Sequence, residues 1–596
     1  MKKYFGIVFI IVSVGAAYFY LRIPNTHVQP FPLEKRPYIL PATIVPSTVE
    51  MHFTDVTKKT GIKFIHYTGS FTHADGTASR FMPETMGPGV IVFDYDNDND
   101  LDILVNNGTD FNSENNTSSI HTPHLYRNEG GFRFVDVTSE AGLDFPLFGM
   151  GVVAGDYDGD GWQDVLLTAW GGLHLLKNQG NGHFLDVTKT VGLTLEGDWD
   201  HSGNFAPPWT TGAAFFDADN DGDIDILVAQ YVRWSPNGDI YTTLDGIHKS
   251  YATPELYTGS SPRLFLQENG RFIDSTVKAG IFTPNAKSLG VALADVNNDS
   301  YLDVIIANDT QPNLFYRNLG QGNFREEALI SGLAYDEKGD TRAGMGIAIA
   351  DIENNNQMHV AIGNFSREPV SLFGPVGSNL WRDNTQRSGI AQSTYLLLTF
   401  GALFADLNLD GYQDLLLANG HIEPRIGEIE SHIFYQQPLV LLGNISGSGD
   451  NKDFSINFQD WSQFVGLDFQ IPLVARGLAV GDLDNDGDQD IVVSSNGGPL
   501  RILRNDTNAK ALRVTLHGKA PNTNAIGARL ELRTTSGIQT RIITTGASYL
   551  SQSEFTQSFG VTQTDSVINL EVSWPNGNKT VVSNFDDSGV TIIYEK

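Results

Sequence analysis

Short apolar runs recur along this chain in pairs, and each pair encloses a loop with oxygen-bearing side chains at every second position. In the last copy Leu478-Ala479-Val480 and Ile491-Val492-Val493 flank Asp482, Asp484, Asp486, Asp488 and Asp490. Runs this short and this rich in Val and Ile predict strands, so the unit is strand, acidic loop, strand. Seven copies occur in register. The first carries Asp94, Asp96, Asp98, Asp100 and Asp102. The second carries Asp156, Asp158, Asp160 and Asp164. The third carries Asp217, Asp219, Asp221, Asp223 and Asp225. The fourth has Asp295, Asn297, Asp299 and Asp303. The sixth has Asp406, Asn408, Asp410 and Asp414. The fifth departs from the pattern, with Asp351, Glu353 and Asn355 but His359 at the ninth place.

Two further marks keep the same register. A glycine stands five residues before each first acid: Gly89, Gly151, Gly212, Gly290, Gly346, Gly401 and Gly477. Its recurrence predicts a bend or a close strand approach that excludes a side chain. A second module, aromatic-x-Asp-x-Thr-x-x-x-Gly-Leu/Ile, begins at Phe53, Phe134, Phe184 and Phe272, and weaker copies end at Gly332, Gly389 and Gly466. Between the modules, phrases such as LYRNEGGF and LFYRNLGQGNF read as hairpins. A repeat of about 55–60 residues with four short strands is a propeller blade, and seven close a ring without open sheet edges. The expected fold is therefore all-β: a seven-bladed β-propeller over residues 51–508, followed by a small β-sandwich or barrel over 509–596, where runs such as ALRVTLH and ARLELRT alternate.

Three stretches break the repeat: roughly 66–88, with His66, His73, Arg80 and Glu84; roughly 233–263, with Trp234, Tyr241, Tyr251 and Tyr257; and roughly 421–453, with His421 and His432. With the acidic loops on one face, these insertions decorate the opposite face or the rim. Their aromatics read as a packed loop core or as a sugar-stacking surface. The histidines, His174 included, show no metal-protease or comparable spacing. Trp574-Pro575-Asn576-Gly577 reads as a hairpin turn with a core Trp.

Oxygen ligands at positions 1, 3, 5 and 9 of a tight loop suit a hard cation that takes six to eight oxygens, which points to several structural calcium ions. The loops at Asp94, Asp156, Asp217 and Asp482 have acids at all four places. Those at Asp295 and Asp406 carry Asn at the third, which lowers their charge, and the loop at Asp351 lacks the closing carboxylate. Formal charge is −31, much of it in these loops, and excludes a nucleic-acid surface. With no cysteine, disulfides and thiolate chemistry are excluded. Lys2-Lys3, an uncharged run from Tyr4 to Leu21 and Arg22 read as a signal anchor or a signal peptide over residues 1–22, and the proline-rich stretch 23–50 as a tether. Both readings place the rest outside the cytoplasm, with the membrane touched only through this segment.

The D-x-D-x-D-G-x-x-D loops in seven units resemble FG-GAP repeats of the VCBS type, as in the integrin α-chain propeller. The added D-V-T-x-x-x-G-L module brings the likeness nearer to the cartilage acidic protein group. Ala525-Ile526-Gly527-Ala528-Arg529, Gly546 to Ser553 (GASYLSQS), Phe559-Gly560-Val561 and Ser573 to Gly577 resemble the ASPIC/UnbV domain. The resemblance implies calcium sites that stiffen the blades, and it brings no catalytic residues. The function expected is a calcium-dependent scaffold that binds a protein or a glycan and is not an enzyme. The alternatives are a lyase-like enzyme acting on polysaccharide and an accessory factor for a membrane or secreted complex.

Overall fold

The computed structural model describes residues 51–69, 79–110, 121–377, 379–446, 457–507, 509–562, 565–585 and 590–596. The expected anchor, the tether and His73 lie outside them. No helix among the described residues is long and apolar enough to cross a membrane.

Seven four-stranded sheets form the propeller. The first strands of blades 1 to 7 are Val90–Phe93, Phe148–Gly155, Thr210–Phe216, Ser288–Ala294, Ile347–Ala350, Thr399–Ala405 and Ala475–Gly481. Each lies against the first strand of the next blade, and the first strand of blade 7 lies against that of blade 1, so the ring is closed. Blades 1 to 6 each take four consecutive strands. Blade 7 takes three, Ala475–Gly481, Asp490–Ser495 and Arg501–Asn505, and its fourth is the N-terminal Phe53–Asp55. Phe53 pairs with Asn505 and Asp55 with Leu503, antiparallel. The ring is thus latched by joining the two ends of the propeller segment.

The sequence modules have physical roles here. First and second strands are buried along their length between neighbouring blades, which is why they read as continuous apolar runs. Fourth strands are outermost: Phe134 is buried while Val135 and Asp136 are exposed. In the second module the Asp accepts the Thr amide and hydroxyl, and that hydroxyl accepts an amide of the third strand, as in Asp136, Thr138 and Leu125. The module's glycine adopts the left-handed conformation, with φ 88° at Gly61 and 113° at Gly466. A Cβ at Gly466 would stand 2.6 Å from the Phe53 carbonyl oxygen, and one at Gly332 2.3 Å from that of Trp381. The module therefore presses each blade's outer strand against the turn that ends the preceding blade.

The remaining strands form two sheets over a shared core that includes Val514, Leu530, Phe559, Leu570 and Trp574. One places Ala511–His517 between Gln557–Gly560, antiparallel, and Val590–Tyr594, parallel. The other runs Ile538–Ile542, Arg529–Thr534, Val567–Ser573, Lys579–Val582. Trp574 is buried at the turn joining the last two, as its motif predicted. Between Ile542 and Gln557 the chain leaves these sheets and runs along the inner strands of the propeller. The Val92 amide donates to the Gln552 carbonyl (3.2 Å) and the Val152 amide to that of Leu550 (3.1 Å). Ile347 and Ser548 exchange both backbone bonds, at 2.9 and 2.8 Å. Thr545 Oγ1 bridges the amide and carbonyl of Phe215, and the Glu554 amide reaches the Val480 carbonyl. Strands from four blades thereby gain backbone partners, and that of blade 3 a side-chain hydroxyl, for inward-facing groups that would otherwise stay unpaired. Sequence reading had found this stretch only as a family mark.

Phe53 is fully buried in the latch. Replacing it by alanine is expected to cost about 3–5 kcal/mol, read as a lower midpoint in urea unfolding of the whole chain. A loss below about 1 kcal/mol would mean that the ring is held closed by something other than this strand.

Candidate metal centres

Each acidic loop joins the first strand of a blade to the second, so all seven lie at one end of the channel. The first acid organises the loop. Asp94 accepts the amides of Asp98 and Asn99, Asp217 those of Asp221 and Gly222, and Asp482 those of Asp486 and Gly487. The same pair of bonds recurs at Asp156, Asp295, Asp351 and Asp406. Such winding requires positive φ at the fourth and sixth places. The sixth is Gly161, Gly222, Gly411 or Gly487 in four loops, as the sequence pattern expected, and Asn99, Ser300 or Asn356 in the others. The fourth is Asn in five loops, Gly159 in the second and Leu409 in the sixth (φ 55°). This second left-handed position was missed, although the repeated Asn there was its visible signal.

The ninth-place acid ties the loop to the blade. Asp102 accepts the amides of Tyr95 (3.0 Å) and Asn128 (2.8 Å), and Asp490 those of Leu483 and Asn505 (both 2.9 Å). The residue that ends the third strand then joins neighbouring blades. Asn178 donates to Gln163 O in its own loop (3.2 Å) and to Tyr95 O in the loop of blade 1 (2.7 Å). Asn128, Gln267, Asn318, Asn444 and Asn505 repeat this bond with the preceding blade. Among the described residues blade 5 shows no such bond. The asparagines were visible in the repeated hairpin phrases but read only as turn residues.

In four loops one carboxylate oxygen from each of the first, third and ninth acids lies within 4.8 Å of the others: Asp94, Asp96 and Asp102; Asp156, Asp158 and Asp164; Asp217, Asp219 and Asp225; Asp482, Asp484 and Asp490. The fifth-place acids, Asp98, Asp160, Asp221 and Asp486, stand outside these groups. Each accepts the amide two residues on, at 2.8 to 3.2 Å. In the fourth and sixth loops the amides of Asn297 and Asn408 donate to Asp299 (2.8 Å) and Asp410 (2.9 Å), so Asp303 and Asp414 close no three-acid group. In the fifth, buried His359 sits 3.3 Å from Glu353, an internal charge pair when protonated.

The donor sets fit a hard cation. Asp96 Oδ1 and Asp484 Oδ1 are buried with no hydrogen-bond partner among the described residues, the state expected of oxygens meant for an ion. Burial, followed by neighbouring carboxylates, pushes Asp102, Asp164, Asp225 and Asp490 well above the usual range, Asp94 and Asp484 to about 6 and Asp217 to about 7. Residues of the C-terminal sheets approach the same carboxylates. Arg513 pairs with Asp482 and Glu554, and Thr523 donates to Asp156. Lys177, from the third strand of blade 2, pairs with Asp158 and Asp160.

The other candidates serve packing. His66 and His421 are buried and accept backbone amides of Gly497 and Glu423, and burial lowers them to about 3 and about 4. His174 pairs with Asp186 on an outer hairpin. Arg80 binds Glu423 (2.9 Å), while Glu84 accepts from Ser79, the Phe81 amide and Tyr251. Trp234 and Tyr257 are buried in a loop core where Trp234 meets Phe81, Trp170 and Trp209, while Tyr241 is exposed.

Residues 109–167, 156–228 and 295–362 match the FG-GAP-like repeat, 474–512 the FG-GAP repeat, and 518–593 the ASPIC and UnbV family. The chain is therefore a propeller built of FG-GAP repeats with a C-terminal ASPIC/UnbV domain. Among characterised proteins it is similar to cartilage acidic protein 1. The Xenopus tropicalis protein is 27% identical over 303 residues, 48% of this chain and 42% of that protein, and the Homo sapiens protein 25% identical over 320 residues, 52% and 44%. The matched region thus spans less than half the length of these relatives. Among solved structures, BBS1N in complex with ARL6DN aligns at 10% identity with a TM-score of 0.40, over 71% of this chain and 94% of that one. An Agrocybe aegerita lectin that recognises non-reducing terminal N-acetylglucosamine aligns at 14% with a TM-score of 0.35, over 72% and 93%. These structural likenesses are too distant to bear on function.

The raised carboxylates set a pH dependence for the metal-free protein. Their folded pKa values exceed the unfolded value of 3.8, so the native state holds more protons, and stability falls as pH rises through about 4 to 8. In excess chelator the melting temperature is expected to be higher at about pH 5 than at about pH 7.5. A rise over that interval would contradict the crowding of these groups.

Proposed function

We propose that this chain is a calcium-stiffened, non-catalytic propeller scaffold that works outside the cytoplasm and offers a protein or glycan ligand the face opposite the acidic loops. The observation that carries the calcium reading is the convergence of first, third and ninth carboxylates in four loops, with buried oxygens left unpartnered. An all-oxygen, multiply charged, winding loop is the donor set calcium takes. Asp94, Asp96 and Asp102, with their counterparts in loops 2, 3 and 7, would hold the ions. The fourth and sixth loops would bind weakly, and the fifth would bind weakly or not at all, since His359 stands where the others carry the closing carboxylate. Bound calcium would neutralise carboxylates that crowd where blades meet, and so fix the blades in place.

Connectivity supports this choice of face. Every acidic loop and the C-terminal sheets share one end of the channel. The insertions lie at the other, in the second-to-third strand and blade-to-blade connections. FG-GAP repeats and the likeness to cartilage acidic protein 1 support an extracellular scaffold.

Ions bound only by the folded state stabilise it by about 2.7 kcal/mol per site at a hundredfold excess over the dissociation constant. Chelation of the whole protein is therefore expected to lower its melting temperature by several degrees. Asp490→Asn should remove about one tightly bound ion in a calorimetric titration. A melting curve indifferent to chelator would sink the calcium reading.

A further inference from the structure

On the face opposite the acidic loops a cavity of about 190 Å³ opens at the mouth of the channel. Its wall is apolar and polarisable, with Met82, Met86, Leu289, Met345, Phe365 and Phe400. The charged side chains that line it are all carboxylates: Asp309, Glu255 and Glu368. Asp309, only 7% exposed, comes from the end of the second strand of blade 4. Its Oδ2 accepts the Tyr231 hydroxyl at 2.5 Å, and its Oδ1 has no hydrogen-bond partner among the described residues. Thr310 Oγ1, also in the lining, is buried with no partner and sits on backbone of positive φ (60°). Glu368 uses one oxygen on the Ala343 amide (2.8 Å), and Glu255 one on the Thr253 hydroxyl (3.0 Å).

Opposite charge is scarce there. Lys287, behind Asp309, is buried and acts on Asp309 and Glu255, but it does not line the cavity. Arg342, which acts on Glu368, is already engaged by Asp336 (3.2 Å) and Asp383 (3.5 Å). Each carboxylate thus has one donor and one oxygen left for a further partner, at the edge of a largely apolar space that a cation would complete. The occupant is not a metal ion. The three-acid groups whose oxygens converge among the described residues are the four loops, not this trio, and thioethers and phenyl rings make a poor shell for a hard cation. An organic cation suits both halves of the cavity, because aromatic faces and carboxylates attract its charge while methylenes pack on the methionines. The volume is about that of six water molecules, which admits a stem of about four to six carbons.

We propose that this cavity is a binding site for an alkylammonium group, its charge received by Asp309, Glu255 and Glu368 and its stem by the methionine and phenylalanine wall. The site deepens the reading of this face as the ligand face and does not depend on the metal loops. The group could belong to a small free amine or to a lysine side chain of a protein.

The test is a calorimetric titration of the whole chain at about pH 8, where Asp309, which burial raises to about 7, is ionised, with calcium at about 1 mM. n-Pentylammonium is expected to bind at least tenfold more tightly than 1-pentanol, which shares its stem and lacks its charge. Asp309→Asn should weaken the ammonium at least tenfold. Glu255→Gln, at an exposed position that the fold does not need, should weaken it about threefold. Nα-acetyl-lysine N-methylamide, set against its norleucine counterpart, separates the two sources. Binding of the lysine compound assigns the site to a protein's lysine, and its exclusion while pentylammonium binds assigns it to a free amine. Equal binding of pentanol, unchanged affinity in both variants, or no binding of pentylammonium at about 20 mM would each overturn the proposal. The same preparation is first melted with and without chelator. A failed titration on protein that calcium stabilises therefore condemns the cavity and leaves the scaffold reading intact.

Discussion

Seven sheets close a ring only if their innermost strands approach almost backbone to backbone, and most of what is regular in this sequence serves that approach. The glycine five residues before each acidic loop marks the tightest point. A Cβ at Gly212 would meet the Leu289 carbonyl oxygen at 2.4 Å, at Gly290 that of Met345 at 2.5 Å, and at Gly346 that of Phe400 at 2.1 Å. Each partner belongs to the first strand of the next blade, and the pairing of first strands shifts register at this point in blades 2, 3, 4, 6 and 7. The bulge turns each strand so that its neighbour can close in. A side chain there would hold two blades apart, and an error of one wedge cannot be absorbed by the other six.

Close approach has an electrostatic consequence at the end of the channel where the first strands give way to loops. Carboxylates of each loop are crowded against one another, and the bond from a third-strand Asn or Gln to the preceding loop fixes neighbouring loops side by side. The chain supplies part of the compensation itself. Arg513 pairs with Asp482, and buried Arg541 acts on Asp406 and Asp351. The loops these groups serve include the fifth, with the fewest acids, and the sixth. Arg127 acts on Asp96 of the first loop, while the acids of the loop at Asp217 are shifted only by burial, by one another and by their hydrogen bonds.

Fold and candidate centres differ in how far the sequence discloses them. Repetition exposed the blade count, the strand–loop–strand unit and the four strongest acid sets, since one physical demand met seven times leaves seven copies of its solution. Features that occur once stayed hidden. The latch at Phe53 belongs to the same module as Phe134 and Phe184, and nothing local shows that it completes the last blade and not the first. Gly546 to Ser553 shows neither a strand alternation nor a helical stripe, because its backbone partners lie in blades 1, 2, 3, 5 and 7 and no side-chain period is imposed on it. The mouth cavity draws on blades 3, 4, 5 and 6 and on all three insertions, so Asp309, Glu255 and Glu368 share no spacing. Arg80 and Glu84, near neighbours in sequence, were read together, yet each found its partner in an insertion of another blade.

The two ends of the described chain act on the ring in complementary ways. The N-terminal strand closes it from the rim, adding the outermost strand of blade 7. The segment around Tyr549 closes it from within: Tyr549 is fully buried, its ring 4.8 Å edge-on from Phe400, and the Arg476 guanidinium lies 3.8 Å from the other partner of that contact, the Phe400 ring. Among the described residues no carboxylate pairs with Arg476. It donates to the carbonyls of Thr85, Gly420 and Ala475, so its charge is held by backbone dipoles and an aromatic face. Those carbonyls belong to the connections that build the opposite face. The buried guanidinium therefore joins the inserted segment, the last blade and the mouth loops into one packed body. A scaffold so tied presents its mouth as a rigid surface, and a ligand there gains affinity from a site already formed, without paying to order it.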